Sequence, residues 1–448
     1  MIFRSWHPVL VAVLPLLLLS FAACSALTVP DARPVSTPGS PAWSEHTMAE
    51  DLSFLNSEAV RGRADMSVGY NVAAAYVARR LREYRLQPAL ESGFRIIHSS
   101  PRNVVSGARL RFEGSDSLDF ITGLDVLPDG RSAAFDGVIR SLWLNDAEGA
   151  SRESGSALLW IGDVTPEIEA TLRSSSIDLI IFQSRLEPRP SSKQWEGHGM
   201  LHVTPRVVRT LLRGSLPDPD APTRHLLSRS VRVEIVSAWS RMAAGINIVG
   251  YVPGKHPELS SEAVILCTSL DAVGSFAGVP ALDVGNIGVE VVASLEVVRQ
   301  LSQFSRYAGI PERTLIVAFV SGGTVDASGL RALLAAPLWY GQKIRSLVYA
   351  GKSVVGELPT QKADGGHVPI FPVLSRRPPG LPDTVILRPS DPRLPPGRRQ
   401  IKPSVSAGAY MDVAVETAAE LASRLYINLA SELMAEEADL TQRRLLPD

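Results

Sequence analysis

Apolar positions along the chain fall into three regimes, and each predicts a different kind of structure. From about His46, the residues Met48, Leu52, Leu55 and Val60 share one apolar face, as in an amphipathic helix. Ala73, Val77, Leu81 and Tyr84 recur at i, i+4, i+8 and i+11 and predict a second helix after Gly62-Arg63. It ends at Arg85-Leu86-Gln87-Pro88, because proline has no amide hydrogen with which to continue a helix. Between about 105 and 235 the pattern breaks into short β-rich runs at 108–112, 138–144, 158–161, 179–182 and 231–236. A helix at 166–174 sits between two of these strands, and strand, helix, strand implies a parallel crossover. Residues 187–199 are polar and read as a loop.

From Ala243 onward the strands become apolar throughout. Residues 246–252 predict a strand that breaks at Pro253-Gly254, and 263–267 one buried on both faces. A long helix at about 288–304 carries Val289, Val292, Leu295, Val298 and Leu301 on one side. A buried strand at 314–319, a helix at 330–335 and a short strand at 347–349 follow. Residues 375–404, crowded with proline and arginine, predict a long surface loop, and 411–434 a closing helix. The alternation of strands and helices predicts a three-layer α/β/α fold with a mainly parallel mixed sheet, into which a smaller β-rich α/β domain is inserted.

Composition narrows the partners. The 448 residues allow two or three domains, and 45% hydrophobic with 20% charged residues is a globular balance. A formal net charge of −1 leaves no basic surplus to neutralise a phosphate backbone, so no nucleic-acid partner is expected. The two cysteines are Cys24 and Cys267, too few for a disulfide framework once Cys24 is placed in a leader.

That leader begins with Arg4 and an apolar run at 9–19 broken only by Pro15, shorter than a membrane-spanning helix requires. Ala22-Ala23-Cys24 resembles a bacterial lipoprotein cleavage box, in which the cysteine is lipidated; Phe21 departs from the usual aliphatic residue three before it. The resemblance implies a lipoprotein signal over 1–24 and a membrane anchor at Cys24, the alternative being an ordinary cleaved secretory signal. Either places the mature protein outside the cytoplasm. Residues 25–44, rich in Pro, Ser and Ala, suit a tether.

Five stretches carry a family likeness. They are the opening helices with Gly62-Arg63 between them and Leu86-Gln87-Pro88 after them, the strand sequence GINIVGYVPGK at 245–255, the run AVILCTSLDAVG at 263–274, Val317-Ala318-Phe319 with Ser321-Gly322, and Gly329-Leu330-Arg331-Ala332-Leu333-Leu334. Together they resemble the zinc aminopeptidase family, which includes bacterial leucyl aminopeptidases, glutamate carboxypeptidase, the transferrin receptor and nicastrin. The likeness covers about 46–100 and 240–350 and implies a zinc-exopeptidase-like domain over 45–104 and 236–448. The insert at 105–235 stands where many family members carry a protease-associated domain, and 158–161, 166–174, 179–182, Val203-Thr204-Pro205 and 207–212 resemble that module.

The family's chemistry implies two zinc ions about 3.5–4 Å apart, held by histidine and carboxylate ligands. Residue by residue, the resemblance finds the ligands missing. The first histidine falls on Ser269, within Ser269-Leu270-Asp271; Asp271 remains, and in the family this aspartate orients other groups without ligating. The bridging aspartate falls on Val284, with Asp283 one residue away. The adjacent glutamates, one of them the general base, fall on Gly322-Gly323 or Gly323-Thr324, none of which accepts a proton usefully at neutral pH. The fourth ligand falls near Val348-Tyr349-Ala350, none acidic, and the last histidine in 380–411, which contains none. A carboxylate at Asp271 or Asp283 without such partners does not hold zinc tightly, so no cofactor and no catalytic residue are expected.

Other candidates are weaker. His198 and His202, four apart, would pair on a metal if they shared a helix face, whereas Gly197-His198-Gly199 reads as a loop. Gly351-Lys352-Ser353 imitates a phosphate loop but Ser346 stands where its first glycine belongs, and Asp364-Gly365-Gly366-His367 reads as a turn. Cys267, in an apolar strand, is expected to be an inert core residue. No Gly-x-Ser-x-Gly elbow occurs. The expected function is therefore that of an exported, non-catalytic relative of the peptidases, a cell-surface binding or scaffold protein with a peptide or protein ligand. The alternatives are an active metal-dependent aminopeptidase with its ligands elsewhere, and a different enzyme working through Ser269 or Asp271, for which the sequence arranges no partner base.

Overall fold

The structure is a computed structural model that describes residues 42–57, 59–60, 63–114, 118–187, 189–214, 218–221, 223–282, 288–307, 311–335, 343–351, 368–374, 385–386 and 407–434. Helix α1 (Glu45–Leu55) opens where the Ser44 hydroxyl accepts from the Thr47 amide, and α2 (Val68–Glu83) where Ser67 accepts from Tyr70. Strands β1 (Gln87–Pro88) and β2 (Arg95–Ser99) follow. The chain then enters a second sheet through β3 (Arg102–Phe112), β4 (Asp119–Phe120), β5 (Val126–Pro128), β6 (Phe135–Leu144), α3 (Ala147–Ser151), β7 (Ser156–Ile161), α4 (Pro166–Ser174), β8 (Leu179–Gln183), β9 (Gly199–Val203), α5 (Pro205–Leu211) and β10 (Thr223–Ser240). It returns through β11 (Ala244–Val252), β12 (Glu262–Ser269), β13 (Ser275–Phe276), β14 (Val279–Leu282), α6 (Val289–Tyr307), β15 (Thr314–Val320), α7 (Ser328–Ala335), β16 (Lys343–Gly351), β17 (Ile370–Leu374), β18 (Val385–Ile386) and α8 (Ala407–Leu433).

The main sheet has seven strands in the order β1-β11-β15-β12-β16-β17, with β2 also paired to β11. Successive residues of β12 serve opposite cores. Val264 and Leu266 pack with α1, α6 and α8, while Ile265 and Cys267 pack with Leu330, Leu333 and Leu334 of α7. Helices on both faces of one sheet make the three layers, and they explain the unbroken apolar runs from Ala263 to Cys267 in β12 and from Leu315 to Val320 in β15. The sheet is mixed. Strand β12 runs parallel to β15 and β16, and β16 to β17, whereas β11 is antiparallel to β1, β2 and β15. Parallel pairing is thus confined to the half that carries the candidate site.

The second sheet has eight strands in the order β4-β3-β10-β6-β7-β8-β9-β5 and its own apolar cores. Strands β6 to β9 are parallel, as the crossover through α4 requires. Its first and last strands along the chain reach Arg102 and Ser240, a few residues beyond the expected 105 and 235. Within the predicted 375–404 loop, Val385 and Ile386 form a short strand against β14, so that stretch is not loop throughout.

Candidate functional site

Parallel strands end together at one edge of the main sheet, where crevices for ligands usually form. Strand β12 ends at Ser269 and β15 at Val320, and the Leu270 amide donates to the Val320 carbonyl at 2.8 Å. Two loops therefore start side by side: 269–274 and 321–327. Asp271, wholly buried, spans them. Its carboxylate accepts from the Gly323 and Thr324 amides, each at 2.9 Å, and from the Thr324 hydroxyl. Burial, then the neighbouring Asp65 carboxylate, push the Asp271 carboxyl up to about 6, against the pull of those three donors.

The second loop is held from both sides. Gly322 adopts φ +74°, a conformation side chains rarely adopt, and a Cβ there would lie 2.3 Å from Ser328 Oγ. A Cβ on Gly323 would lie 1.6 Å from Ser269 Oγ and 2.6 Å from Ser269 Cβ. The loops thus pack directly on one another at the positions where the family resemblance expects ligand side chains. Ser269 Oγ is 3.5 Å from the Tyr349 hydroxyl, whose phenol burial pushes upward.

Below the first loop, the fully buried Arg63 donates to the Leu270 carbonyl at 3.0 Å and the Leu55 carbonyl at 2.8 Å, and accepts from the Ala272 amide at 3.1 Å. This ties the start of the chain to the Asp271 turn. Asp65 takes the Arg102 guanidinium at 2.6 Å. Beside the second loop, Ser321 Oγ meets His98 Nε2 at 2.9 Å, and the Ser321 amide donates to Asn247 Oδ1 at 3.1 Å. Ser321 is wholly buried, and this contact ties β2 to the loop that follows β15.

The fold built around this edge is similar to that of solved structures. The zinc aminopeptidase BSAP from Bacillus subtilis aligns over 88% of this chain and 96% of its own at a TM-score of 0.53 and 11% identity. A second structure of BSAP aligns over 88% and 99%, also at 0.53 and 11%. The chain has an aminopeptidase-like fold. An aminopeptidase from Aneurinibacillus sp. strain AM-1 aligns less closely, over 68% of this chain and 70% of its own, at a TM-score of 0.44 and 12% identity. No protein-family profile matches the chain, and no curated protein sequence does.

Within that aminopeptidase-like fold, the residues at the strand ends do not fit zinc. Ser269 and Thr324 offer hydroxyls, and Gly322 and Gly323 offer no side chain at all. Asp271 has both oxygens engaged by Gly323 and Thr324. The nearby imidazole, His98, is taken up by Ser321 and the Ser99 carbonyl. No group of three or more His, Cys, Asp or Glu suited to a metal occurs among the described residues. Asp283 and Val284 lie outside the described residues, as do Cys24, His367 and the end of the phosphate-loop-like Gly351-Lys352-Ser353.

His198 and His202 do not converge. Residues 199–203 form a strand, and the two rings reach different partners: His198 the Ile177 and Arg173 carbonyls, His202 Ser184 and Asp129. No spacing in the sequence points to Asp65, Arg102 or His98 around the loops, because they come from elements far away along the chain. Cys267 is wholly buried, and burial pushes its thiol upward, out of the reactive range.

Proposed function

We propose that this protein keeps the aminopeptidase architecture without metal-dependent peptidase chemistry and acts as a binding or scaffold protein outside the cytoplasm. The packing of Gly323 on Ser269 carries this reading. A site that had lost ligands by substitution alone would keep their space; here the space of a side chain at 323 is taken by Ser269. Gly322 adds a backbone conformation unsuited to glutamate. The general base of the family therefore has neither a residue nor room at these two positions.

The ligand is a peptide or protein, recognised at the rim of this edge or on the second sheet, which we read as a protease-associated-like module. Lipidation at Cys24 would hold the protein to a membrane, with 25–44 as tether; no helix among the described residues is long and apolar enough to cross one. Incorporation of a fatty-acid probe that is lost in Cys24→Ser supports the anchor, and absence of label leaves a secreted protein. The competing reading, an active metal-dependent aminopeptidase, predicts hydrolysis of an aminoacyl reporter library by the purified protein supplied with zinc. Our reading predicts no turnover above the protein-free rate.

A further inference from the structure

A second polar constellation lies in the other sheet, far along the chain from the relict loops. Strands β8 and β9 run parallel, with Phe182 opposite His202 and Gln183 opposite Val203. Ser184 leaves the carboxyl end of β8, its amide donating to the Val203 carbonyl at 3.1 Å. Strand β5 lies antiparallel on the other side of β9, with Leu127 opposite His202, and Asp129 leaves its end with its amide on the Met200 carbonyl at 3.0 Å. Three strand ends thus bring Ser184, His202 and Asp129 together. His202 Nδ1 is 2.8 Å from Ser184 Oγ, and its Nε2 is 3.0 Å from Asp129 Oδ2.

The protons on this row are fixed by chemistry. Asp129 is buried yet kept ionised: hydrogen bonds from His202 and Arg131 hold its carboxyl well below the usual range, overcoming desolvation. An ionised carboxylate only accepts, so in the neutral imidazole the hydrogen sits on Nε2, facing Asp129. Nδ1 then presents a lone pair, and the Ser184 hydroxyl is the group that donates to it. When Nδ1 is protonated the direction reverses, and Ser184 Oγ has a ready acceptor in the Arg185 carbonyl at 3.0 Å. Serine to imidazole to buried carboxylate is the order of an activated nucleophile with its base and its orienting group.

The surroundings hold this order in place. The Phe182 ring stacks on His202, centroids 5.2 Å apart at 25°. Asp129 is gripped at both oxygens by Arg131, at 3.0 and 3.1 Å. His202 and Asp129 are 6% and 1% exposed, so the base and its partner are shielded, while Ser184 is only partly buried. The amides of Arg185 and Leu186, next along the chain, donate to no other described residue and are the available donors for an oxyanion at Ser184.

We propose that Ser184, His202 and Asp129 form a nucleophilic acyl-transfer site for carboxylic esters, separate from the relict metal loops. Ser184 Oγ bonds to the acyl carbon as its proton passes to His202 Nδ1. The ester C–O bond breaks as that proton moves to the departing alkoxide oxygen. Water, losing a proton to His202 in turn, attacks acyl-Ser184 and releases the carboxylic acid and free serine. A fluorophosphonate reports the first half alone: Ser184 Oγ bonds to phosphorus, fluoride departs, and the proton passes through His202 to water.

The test is labelling of the purified full-length protein with a fluorophosphonate probe, followed by peptide mapping. The expected result is one adduct, on Ser184, that is absent in Ser184→Ala and unaffected by a chelator. Labelling should fall on the order of 100-fold or more in folded His202→Gln, the usual worth of a positioned base. No adduct on Ser184, at probe concentrations that label a known serine hydrolase, overturns the proposal. So does labelling undiminished in His202→Gln. If His202→Gln fails to fold, wild-type protein in urea decides: label that persists after unfolding owes nothing to the constellation and overturns it. Because the readout involves neither zinc nor peptide, its failure leaves the reading of the relict loops standing.

Discussion

Gly323 lies against Ser269 so closely that a single added carbon would sit 1.6 Å from the serine oxygen and 2.6 Å from its Cβ. The two residues belong to loops leaving adjacent parallel strands, β15 and β12, and Asp271 fastens one loop to the other. The contact leaves no room for a side chain at position 323.

Gly323→Ala should therefore destabilise the protein by about 1–3 kcal/mol, the usual cost of overpacking. Removing the opposing side chain should relieve it, so Ser269→Gly with Gly323→Ala should be less destabilised than the sum of the single changes. Urea unfolding of the four proteins measures this. Strict additivity would mean that the two residues do not share the space.

Asp271 gives a pH-dependent contribution with a definite sign. Its folded carboxyl is pushed up to about 6 from an ordinary value of 3.8, so between these values the folded state binds the proton that the unfolded state has released. The contribution of Asp271 to stability is full below about pH 4, declines as pH rises, and is flat above about 6. The decline is on the order of 3 kcal/mol. Asp271→Asn removes the titration, so the stability of wild type relative to this variant should shrink from pH 4 to 6. A difference that grows over that range would contradict a raised carboxyl.

Arg313 is a buried charge at the opposite end of the sheet strands. It donates to Glu262 at 2.8 Å and to the Glu432 and Met434 carbonyls at 3.1 and 2.6 Å, joining the start of β15 to the start of β12 and the end of α8. Arg313→Met removes the guanidinium from the buried Glu262 carboxylate and should cost about 3–5 kcal/mol, whereas Arg313→Met with Glu262→Leu should recover much of it. Thermal unfolding of the single and double variants checks this.

The parts legible in the sequence are those whose cause is local. Helix α4 falls at 166–174 as its pattern predicts, because the Thr165 hydroxyl caps it and Pro166 occupies its first turn. Residues 263–267 announce a doubly buried strand because both faces of β12 are covered. The apolar spacing puts Val60 with the first helix, but it lies beyond it: the Asn56 side chain turns back to the Leu52 carbonyl at 2.7 Å and the helix stops, while Val60 stays buried. No apolar pattern marks strand β2, which lies at the sheet margin with only partial burial. At the strand-end loops the sequence alone shows that Ser269 and Gly322–Thr324 carry no imidazole or carboxylate, but the packing of Gly323 on Ser269 depends on strand register. Ser184, His202 and Asp129 come from three strand ends, and no spacing in the sequence joins them.

The most direct measurement is the zinc content of protein purified from zinc-supplemented medium and dialysed against metal-free buffer, with reporter hydrolysis assayed before and after chelation. The account predicts no stoichiometric zinc and no chelator-sensitive aminopeptidase activity. Two tightly held zinc ions per chain, with peptide hydrolysis that chelation abolishes and zinc restores, would contradict it.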